Sequence, residues 1–327
     1  MAETPRQIAV LVLAAALFVA LPAIAAAAAR PDLITLGSQI AIMAIAVAGL
    51  DLLMGRTGLP SFGHAAWLGL GGYTVAILAT HAAQGSLPPW VTQAWFAWPA
   101  AIVIPAVLAL AIGALCLRTT GISFIMITLA FAQMFFFLFI ALKAYGGDDG
   151  LSMRRRNALP FIAPRDDVAF FYVCLAALAL VLFGLRRLAA SRFGTVLDGI
   201  RQNERRMAAI GLATFRYKLA AFVLSAAIAG LAGALHVNLF RFASPDLLHW
   251  TMSGELMVMV VLGGLGSLWG PVFGAAAMVL LHAFLAQWTE HWQIVLGPIL
   301  IAAVLLARRG LWGAVGGRRR GASGGRA

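Results

Sequence analysis

Few residues in this sequence could do chemistry, and most of the candidates stand inside long apolar runs. Six polar side chains are placed in this way: Ser61, His64, Ser123, Thr128, Gln133 and Ser267. A polar side chain within an apolar span is costly to bury and often marks the path of a solute. Ser and Thr can instead bond to their own helix backbone, which is a structural role. His64 and Gln133 need partners within the protein, which makes them the stronger candidates.

Two glycine-rich stretches accompany these residues and are expected to interrupt helices. Residues 55–72 contain six glycines and Pro60, and residues 263–274 contain five glycines and Pro271. Irregular backbone at membrane depth is tolerated where it lines a cavity, so both stretches could border a pathway. Glycines spaced four residues apart also allow helices to pack closely, so tight packing alone remains an open alternative.

The segment 191–218 is a basic loop with helical periodicity. Its apolar residues recur at three-, four- and seven-residue spacings: Phe193, Val196, Leu197, Ile200 and Met207. Arg201 and Arg205 share another face, and Glu204 is within reach of Arg201 three residues away. Two residues suit the ends of the neighbouring helices, namely the stop Gly211 and the N-cap Thr214. Such a helix could dock on another protein or lie on lipid phosphates.

The surrounding elements must be membrane spans. Of 327 residues, 62% are hydrophobic and 11% are charged, whereas a soluble domain carries about 25% charged residues. A span needs about 20 mostly apolar residues. Clear candidates are 7–29, 33–54, 97–117, 121–142, 167–187, 217–239 and 292–307. Interrupted candidates are 62–82, 254–266 and 271–287.

We therefore predict an all-α integral membrane protein, a polytopic bundle of about eight to ten spans with short or broken helices and one helix outside the membrane. Residues 1–308 are expected to form the membrane domain. Residues 309–327, rich in Gly and Arg, are expected to form a disordered cytoplasmic tail. The first 29 residues partly resemble a signal peptide, but the apolar run is longer than a usual h-region, so a retained first helix is expected.

The basic residues predict which side each loop faces. The segment 186–218 carries eight Lys and Arg against two acids, and residues 308–327 carry six Arg and no acid. By the positive-inside rule both are cytoplasmic, and an even number of crossings places the N-terminus there too. The loop 143–166 falls outside, although it contains Arg154, Arg155 and Arg156. Six tryptophans are expected near the outer boundary: Trp90, Trp95, Trp98, Trp250, Trp288 and Trp292.

Several other functions find no support in the sequence. The excess of 24 Lys and Arg over 12 Asp and Glu would suggest nucleic acid in a soluble protein, but here it follows the loops between spans, so no nucleic acid is expected. Cys116 and Cys174 lie in apolar runs and are expected to be free thiols. Metal-ligand motifs are absent, so neither metal nor cofactor is expected. Asp51 and Glu255 lie near predicted span ends, where solvent could hydrate them.

Four stretches resemble, in order, the high-affinity branched-chain amino acid permeases of ABC importers. They are GLDLLMGRTGLPSFGHAAWLGLGGYTVAIL (49–78), LRTTGISFIMITLAFAQM (117–134), the loop 191–211, and GELMVMVVLGGLGSLWGPVFGA (254–275). GGDDGL (146–151) stands where the family usually has a similar outer segment. The resemblance covers nearly the whole chain. The Arg-Thr-x-Gly-Ile element makes the chain more similar to the larger of the two paired permeases.

The resemblance implies a heteromeric importer in a bacterial inner membrane. Its partners would be a second homologous permease, two cytoplasmic ABC ATPase subunits and a periplasmic amino-acid-binding protein. It assigns seven loop residues to ATPase coupling: Phe193, Gly194, Ile200, Arg201, Glu204, Arg205 and Gly211. The translocation path is expected along the broken helices, at Ser61, Gly63, His64, Thr128, Gln133, Gly263, Gly264, Gly266 and Ser267.

The expected function is translocation of branched-chain or related apolar amino acids into the cytoplasm, with ATP hydrolysed by partner subunits. The sequence contains no GxxxxGK[ST] phosphate loop, so the chain itself is not expected to be an enzyme. Related permeases carry urea, short amides or small aromatic acids, and these substrates remain alternatives. An ion-coupled secondary transporter would need charged residues within the spans, and a membrane enzyme would need a catalytic cluster. Neither feature is evident.

Overall fold

The structure, a computed structural model, describes residues 5–158, 166–287, 297–298 and 310–315. Its helices are α1 (Pro5–Ala27), α2 (Asp32–Thr57), α3 (His64–Ala83), α4 (Ala94–Cys116), α5 (Ile122–Ala141), α6 (Asp167–Ala189), α7 (Arg192–Ala209), α8 (Thr214–Phe240), α9 (Trp250–Gly263), α10 (Gly270–Leu285) and α11 (Gly310–Val315). Short 3-10 turns occupy Pro89–Thr92, Lys143–Tyr145, Gly147–Asp149 and Pro245–Leu248. Strands β1 (Leu151–Ser152) and β2 (Phe242–Ala243) pair antiparallel. The predicted span 292–307 lies outside the described residues, apart from 297–298.

Six of the described helices are long and apolar enough to cross a membrane: α1, α2, α4, α5, α6 and α8. Helices α9 and α10 have 14 and 16 residues. At about 1.5 Å per residue they extend about 21 and 24 Å, which is less than the hydrocarbon core of about 30 Å. The predicted polytopic helical bundle with short helices is therefore confirmed.

Helices α2 and α8 form the centre of the bundle. The most apolar part of α2 is 72% buried and that of α8 is 61% buried, against 11–33% for the other four long helices. Large apolar side chains remain exposed on the outer helices, for example Leu13, Phe137 and Leu180. Exposed apolar surface of this extent is stable against lipid and costly in water. The two thiols, Cys116 and Cys174, are free and buried, as predicted.

Glycines bring the backbones of α3 and α8 into direct contact. A Cβ added to Gly71 would lie 2.1 Å from the carbonyl oxygen of Gly230, and one added to Gly233 would lie 1.8 Å from that of Leu68. Small residues at such crossings allow the close van der Waals packing that drives helix association in lipid. The glycines of α3 therefore serve packing, the alternative that the sequence left open.

Polar contacts hold the segment before residue 158 to the last turns of α8. Arg156 donates from Nε to the carbonyl oxygen of Asn238 (3.0 Å) and pairs with Asp167 (2.7 Å). Its guanidinium lies 4.6 Å from the centre of the Phe170 ring. Asn238 also donates to the side-chain oxygen of Asn157 (2.7 Å). Helix α8 begins beside α7 and ends beside Arg156 and Asn157. The loop that contains these two residues and the basic segment 191–218 therefore lie at opposite ends of the bundle, as predicted.

The short helix α11 lies at the end of the bundle that carries α7. Trp312 is only 7% exposed, and its ring stacks on that of Phe273 with 5.2 Å between centres. Its carbonyl oxygen accepts a hydrogen bond from Gln7 of α1 (3.5 Å). The tail predicted to be disordered therefore includes six helical residues, because Trp312 finds an apolar contact. The rest of 309–327 lies outside the described residues.

The predicted outer aromatic belt is wrong for Trp250. The two residues of the 3-10 turn before it, Leu247 and Leu248, pack on Gly69 in the second turn of α3. The chain leaves the end of α8, pairs through β2 and then descends into the bundle before α9 begins. Trp90 and Trp95 are exposed and stack on each other beside the start of α4. Trp288 and Trp292 lie outside the described residues.

The close backbone contact between α3 and α8 should contribute to the stability of the fold. We expect Gly233→Ala to lower the free energy of unfolding by about 1–3 kcal/mol, the usual cost of overpacking. The new methyl would collide with the backbone of Leu68, which cannot move aside as a side chain can. The midpoint of thermal unfolding in detergent measures this effect.

The matched control is Gly184→Ala in α6, where an added Cβ would meet nothing within 4 Å. This substitution should leave the midpoint unchanged or raise it slightly, because Ala favours the helix over Gly. Equal midpoints for the two variants would contradict the proposed backbone contact.

Candidate functional site

Arg201 of α7 caps the C-terminal end of α2. The last four carbonyl groups of a helix have no partner within it. Here the amide of Leu59 bonds to Leu53, so the carbonyl of Gly55 is left free and accepts a hydrogen bond from Arg201 Nη1. The aliphatic stem of Arg201 passes beside Gly58, the left-handed residue that ends α2 (φ 74°). A cation at a helix C-terminus is also favoured by the helix dipole.

A second arginine makes the contact between α2 and α7 reciprocal. Arg56, next to Gly55, donates from Nη1 to the carboxylate of Asp198 (3.0 Å). Each helix therefore supplies one arginine and accepts one from the other. The partners come from positions 142 and 146 residues apart in sequence. The two bonds fix the position of α7 relative to the end of α2.

The linker between α9 and α10 (residues 264–269) is bound to the same turn of α2. Asp51 is 7% exposed, and its Oδ1 accepts a hydrogen bond from the amide of Gly266 (2.7 Å). A Cβ on Gly55 would lie 2.6 Å from that same amide nitrogen. The expectation that Asp51 is solvated is therefore wrong. Its carboxyl group is buried because the linker covers it, and the amide of Gly266 gives one of its oxygens a hydrogen-bond partner.

Helix α7 is interrupted at Asn203, which the sequence did not predict. Asn203 has extended backbone angles (φ −161°, ψ 97°), and its side chain caps the following turn by accepting from the amide of Arg206 (3.0 Å). The predicted pairing of Glu204 with Arg201 is wrong, because the interruption removes the helical spacing of three residues. Glu204 pairs instead with Lys218 of α8 (2.6 Å).

The boundaries of α7 agree in part with the sequence. Gly211 follows the helix with φ 87°, which a residue with a side chain adopts only with strain, so the predicted stop is confirmed. The predicted N-cap Thr214 is wrong, because Ala213 occupies that position and Thr214 is the first helical residue. Ser191 caps the start of α7, accepting from the amide of Gly194 (3.4 Å).

The seven residues assigned to coupling divide between two faces of α7. Gly194 and Ile200 are buried against the bundle, and Phe193 packs on Tyr217 with 5.5 Å between ring centres. Arg205 and Gly211 are exposed. The apolar stripe therefore attaches α7 to the bundle, and the basic side around Arg205 remains exposed.

A second group of predicted residues lies midway along the bundle, where α3 begins. His64 Nε2 is 3.2 Å from the carbonyl oxygen of Ala46, near the middle of α2. The chain from Thr57 to His64 must therefore climb back into the bundle before α3 starts. A Cβ on Gly63 would lie 2.9 Å from the carbonyl oxygen of Thr128. Ser61, Gly63, His64 and Thr128 are thus brought together around this broken segment.

Ser253 of α9 caps the start of α3, and sequence reasoning missed it. The amide of Ala65 donates to Ser253 Oγ (2.9 Å), and Ser253 is 0% exposed. The N-terminal amides of a helix need partners, and a helix that starts away from water must find them inside the protein. An isolated serine in an apolar helix offered no periodic signal, since its partner lies 188 residues away.

The predicted path residues do not form one continuous line. Gly263, Gly264, Gly266 and Ser267 lie at the α2 C-terminus, nine residues along α2 from the level of His64. At 1.5 Å per residue this separation is about 14 Å. Gln133 lies on α5, beyond Thr128, and its Oε1 is buried without a hydrogen-bond partner. The described site therefore has two parts, both with irregular backbone. One lies at the C-terminal end of α2, around Arg201, and the other lies midway along the bundle, around His64.

These features define a class: a polytopic helical membrane protein in which broken helices meet a basic, amphipathic helix outside the spans. The chain belongs to the family described as branched-chain amino acid transport system, permease component, which matches residues 33–304. It is therefore a membrane permease of the branched-chain amino acid ABC transporter family, and the resemblance stated from the sequence motifs is confirmed.

Similar proteins include both kinds of permease in this family. The chain is 27% identical over 287 residues to the high-affinity branched-chain amino acid transport system permease protein LivM of Salmonella typhimurium, and equally to LivM of Escherichia coli K12. These matches cover 80% of the chain, which spans 66% of the length of the LivM proteins. The chain is 26% identical to Escherichia coli K12 LivH over 86% of the chain and 93% of LivH. No solved structure matches.

The cap on α3 can be tested by removing one oxygen atom. We expect Ser253→Ala to lower the free energy of unfolding by about 1–3 kcal/mol, because it leaves a buried amide without an acceptor. Thermal unfolding of the purified protein in detergent measures this loss.

Thr251→Ala, two residues earlier, is the matched control. Thr251 is exposed, and its hydroxyl bonds only locally to His249 (2.9 Å). Its loss should change the unfolding midpoint much less than Ser253→Ala. If both variants unfold at the wild-type temperature, the amide of Ala65 does not depend on Ser253.

Proposed function

We propose that this chain is the transmembrane permease subunit of an ABC importer for branched-chain or related apolar amino acids. The observation that carries the proposal is the junction of α7 with the broken inner helices. Arg201 and Asp198 bind the end of α2, and the α9–α10 linker binds that same turn through Asp51. A force applied to α7 from the cytoplasm would therefore reach helices that border the interior of the bundle.

The partners follow from what the chain lacks and what it exposes. The sequence has no phosphate loop, so ATP must be hydrolysed by partner subunits, here two cytoplasmic ABC ATPases. Their docking surface would include exposed Arg205 and Gly211. A second homologous permease would complete the pathway, and a periplasmic amino-acid-binding protein would deliver the substrate. The location would be the bacterial inner membrane, with α7, the N-terminus and the C-terminal tail in the cytoplasm.

The middle of the bundle suits a zwitterion with an apolar side chain. Most of the polar groups described there are uncharged, namely the hydroxyls of Ser61 and Thr128 and the amide of Gln133, beside a histidine bonded to a carbonyl. The acid nearest in sequence is Glu255, two residues after Ser253 on α9. Transport needs binding weak enough to release the solute, and a weakly polar path provides this. Selectivity would then rest largely with the binding protein. Urea, short amides and small aromatic acids remain the alternative substrates that such a path could accept.

The energy source separates this proposal from an ion-coupled transporter. In proteoliposomes that contain the assembled transporter, uptake of a radiolabelled branched-chain amino acid should require ATP. It should persist when a protonophore collapses the proton gradient while ATP is held constant. Uptake that stops with the gradient and continues without ATP would favour a secondary transporter instead.

The docking surface predicts the effect of reversing one charge. Arg205→Glu should weaken binding of the ATPase subunits at least about tenfold, the equivalent of 1.4 kcal/mol, because it places an acid in a basic contact surface. Co-purification of the ATPases with the permease, followed by uptake assays, measures this effect. Membrane insertion should be unaffected, since Arg205 is exposed.

Arg118→Glu is the control for charge alone. Arg118 is exposed in the turn between α4 and α5, at the same end of the bundle as α7. This variant should retain the ATPases. Equal loss in both variants would show that the general charge of this end matters and the α7 surface does not.

A further inference from the structure

We propose that Arg201 is the positioning residue that makes the α9–α10 linker move together with the first part of α7. The inference rests on the proposed function, since it supplies the route by which motion driven by ATP would enter the bundle. It goes beyond that function by naming which residue carries the motion and which helices receive it.

The first step is that the linker behaves as a rigid unit with its two helices. Ser267 Oγ donates to the carbonyl of Gly264 (2.8 Å) and accepts from the amide of Gly270 (2.9 Å). A Cβ on Gly263 would lie 2.0 Å from the carbonyl oxygen of Gly270, so the facing ends of α9 and α10 are in backbone contact. A displacement of the linker must therefore displace both helix ends.

The second step is that Arg201 touches both the linker and α2. A Cβ on Gly266 would lie 3.2 Å from Arg201 Nη1 and 3.1 Å from the carbonyl oxygen of Gly55, the atom that Nη1 binds. The guanidinium thus lies directly against the linker backbone. Below it, the buried carboxylate of Asp51 holds the amide of Gly266. Removing Arg201 would break the only hydrogen bond described between α7 and the backbone of this turn.

The third step is that the two parts of α7 make different polar contacts. The part before Asn203 is bound to α2 through Arg201 and Asp198, whereas Glu204, after it, is paired with Lys218 of α8. Phe193 of the first part also packs on Tyr217 of α8, but that contact is apolar. The extended backbone of Asn203 separates the two parts, so the polar contacts described for the first part lead to the end of α2.

The fourth step is that the first part of α7 and the linker border a small cavity. A cavity of about 30 Å³ lies between α2, α6, the first part of α7 and the linker, lined by Asp51, Ala189, Gly194 and Leu268 among others. Close-packed interiors resist displacement, and a void next to a contact relaxes that constraint. On the far side of the linker, Gly310 of α11 packs against Gly264, where an added Cβ would lie 2.4 Å from its Cα. The linker is therefore supported opposite α7.

The test compares two distances in the assembled transporter. Spin labels at Thr195 and Ile122 report the position of the first part of α7 relative to the start of α5. Labels at Leu265 and Ile122 report the position of the linker relative to that same reference. Thr195 is exposed, and Leu265 and Ile122 are 44% and 75% exposed, so all three accept a label. Both distances are measured without nucleotide and after trapping with ATP and vanadate.

In the wild type we expect both distances to change on trapping. In Arg201→Ala the change at Thr195 should persist and the change at Leu265 should become markedly smaller, with less amino acid transported per ATP hydrolysed. The remaining change would pass through the Arg56–Asp198 pair and the bond from Asp51 to Gly266. Arg192→Ala is the matched control, because Arg192 is exposed on that part of α7 and no contact with the linker is described for it. It should behave as the wild type does.

Each other outcome is informative. A change at Leu265 that is as large in Arg201→Ala as in the wild type overturns the role of Arg201 and leaves the importer function intact. If trapping with ATP and vanadate changes neither distance in the wild type, both the role of Arg201 and the proposed importer function are overturned. If Arg201→Ala does not assemble, Arg201→Gln serves in its place. Its side chain keeps most of the stem beside Gly58 and is too short to reach Gly55, so it must show the same reduction at Leu265.

Discussion

The C-terminal turn of α2 is the constraint on which the rest of the inner structure depends. A helix that ends inside a protein leaves carbonyl groups that must find donors, and the free carbonyl of Gly55 finds Arg201 of α7. The absence of a side chain at Gly55 lets the backbone of Gly266 approach the same turn, where Asp51 binds it. One turn of α2 thereby joins α7 and the α9–α10 linker, which are far apart in sequence. Each of these bonds gives a partner to a polar group that would otherwise lack one.

The start of α3, midway along the bundle, has the corresponding requirement: its first N–H groups need acceptors, as the last carbonyl groups of α2 need donors. Helix α3 starts at a buried position, where His64 is 1% and Ala65 is 0% exposed. Its first amides therefore need acceptors from neighbouring helices, and Ser253 of α9 is one of them. Helix α9 therefore touches α3 at its start and α2 through the linker at its end. Helix α9 is thus a short helix held at both ends by polar contacts, and Gly274 of α10 packs closely on its backbone at Met259. Under the proposed function, these contacts would let α9 respond as one unit to a displacement of the linker.

Local patterns predicted most of the fold, and long-range partners explain what they missed. Apolar runs identified the long helices because a run of about 20 apolar residues is long enough to cross a membrane without any distant partner. Gly211 marked the end of α7 because only glycine readily adopts its positive φ. The same local logic paired Glu204 with Arg201, which the interruption at Asn203 prevents. The partners of Asp51, Arg201 and Ser253 lie 146 to 215 residues away. No spacing within one helix could reveal them, so the site residues were predicted by type and their contacts were not.

The most direct test of the central claim is the side of the membrane from which α7 can be reached. A single cysteine at Gln202, an exposed position next to Arg201, is treated with a membrane-impermeant thiol reagent in right-side-out and inside-out vesicles, in a background without Cys116 and Cys174. The account predicts labelling in inside-out vesicles only, since an ATPase can act on α7 only from the cytoplasm. Labelling of Gln202→Cys in intact right-side-out vesicles would contradict it, because no motor in the cytoplasm could then act on the turn that Arg201 holds.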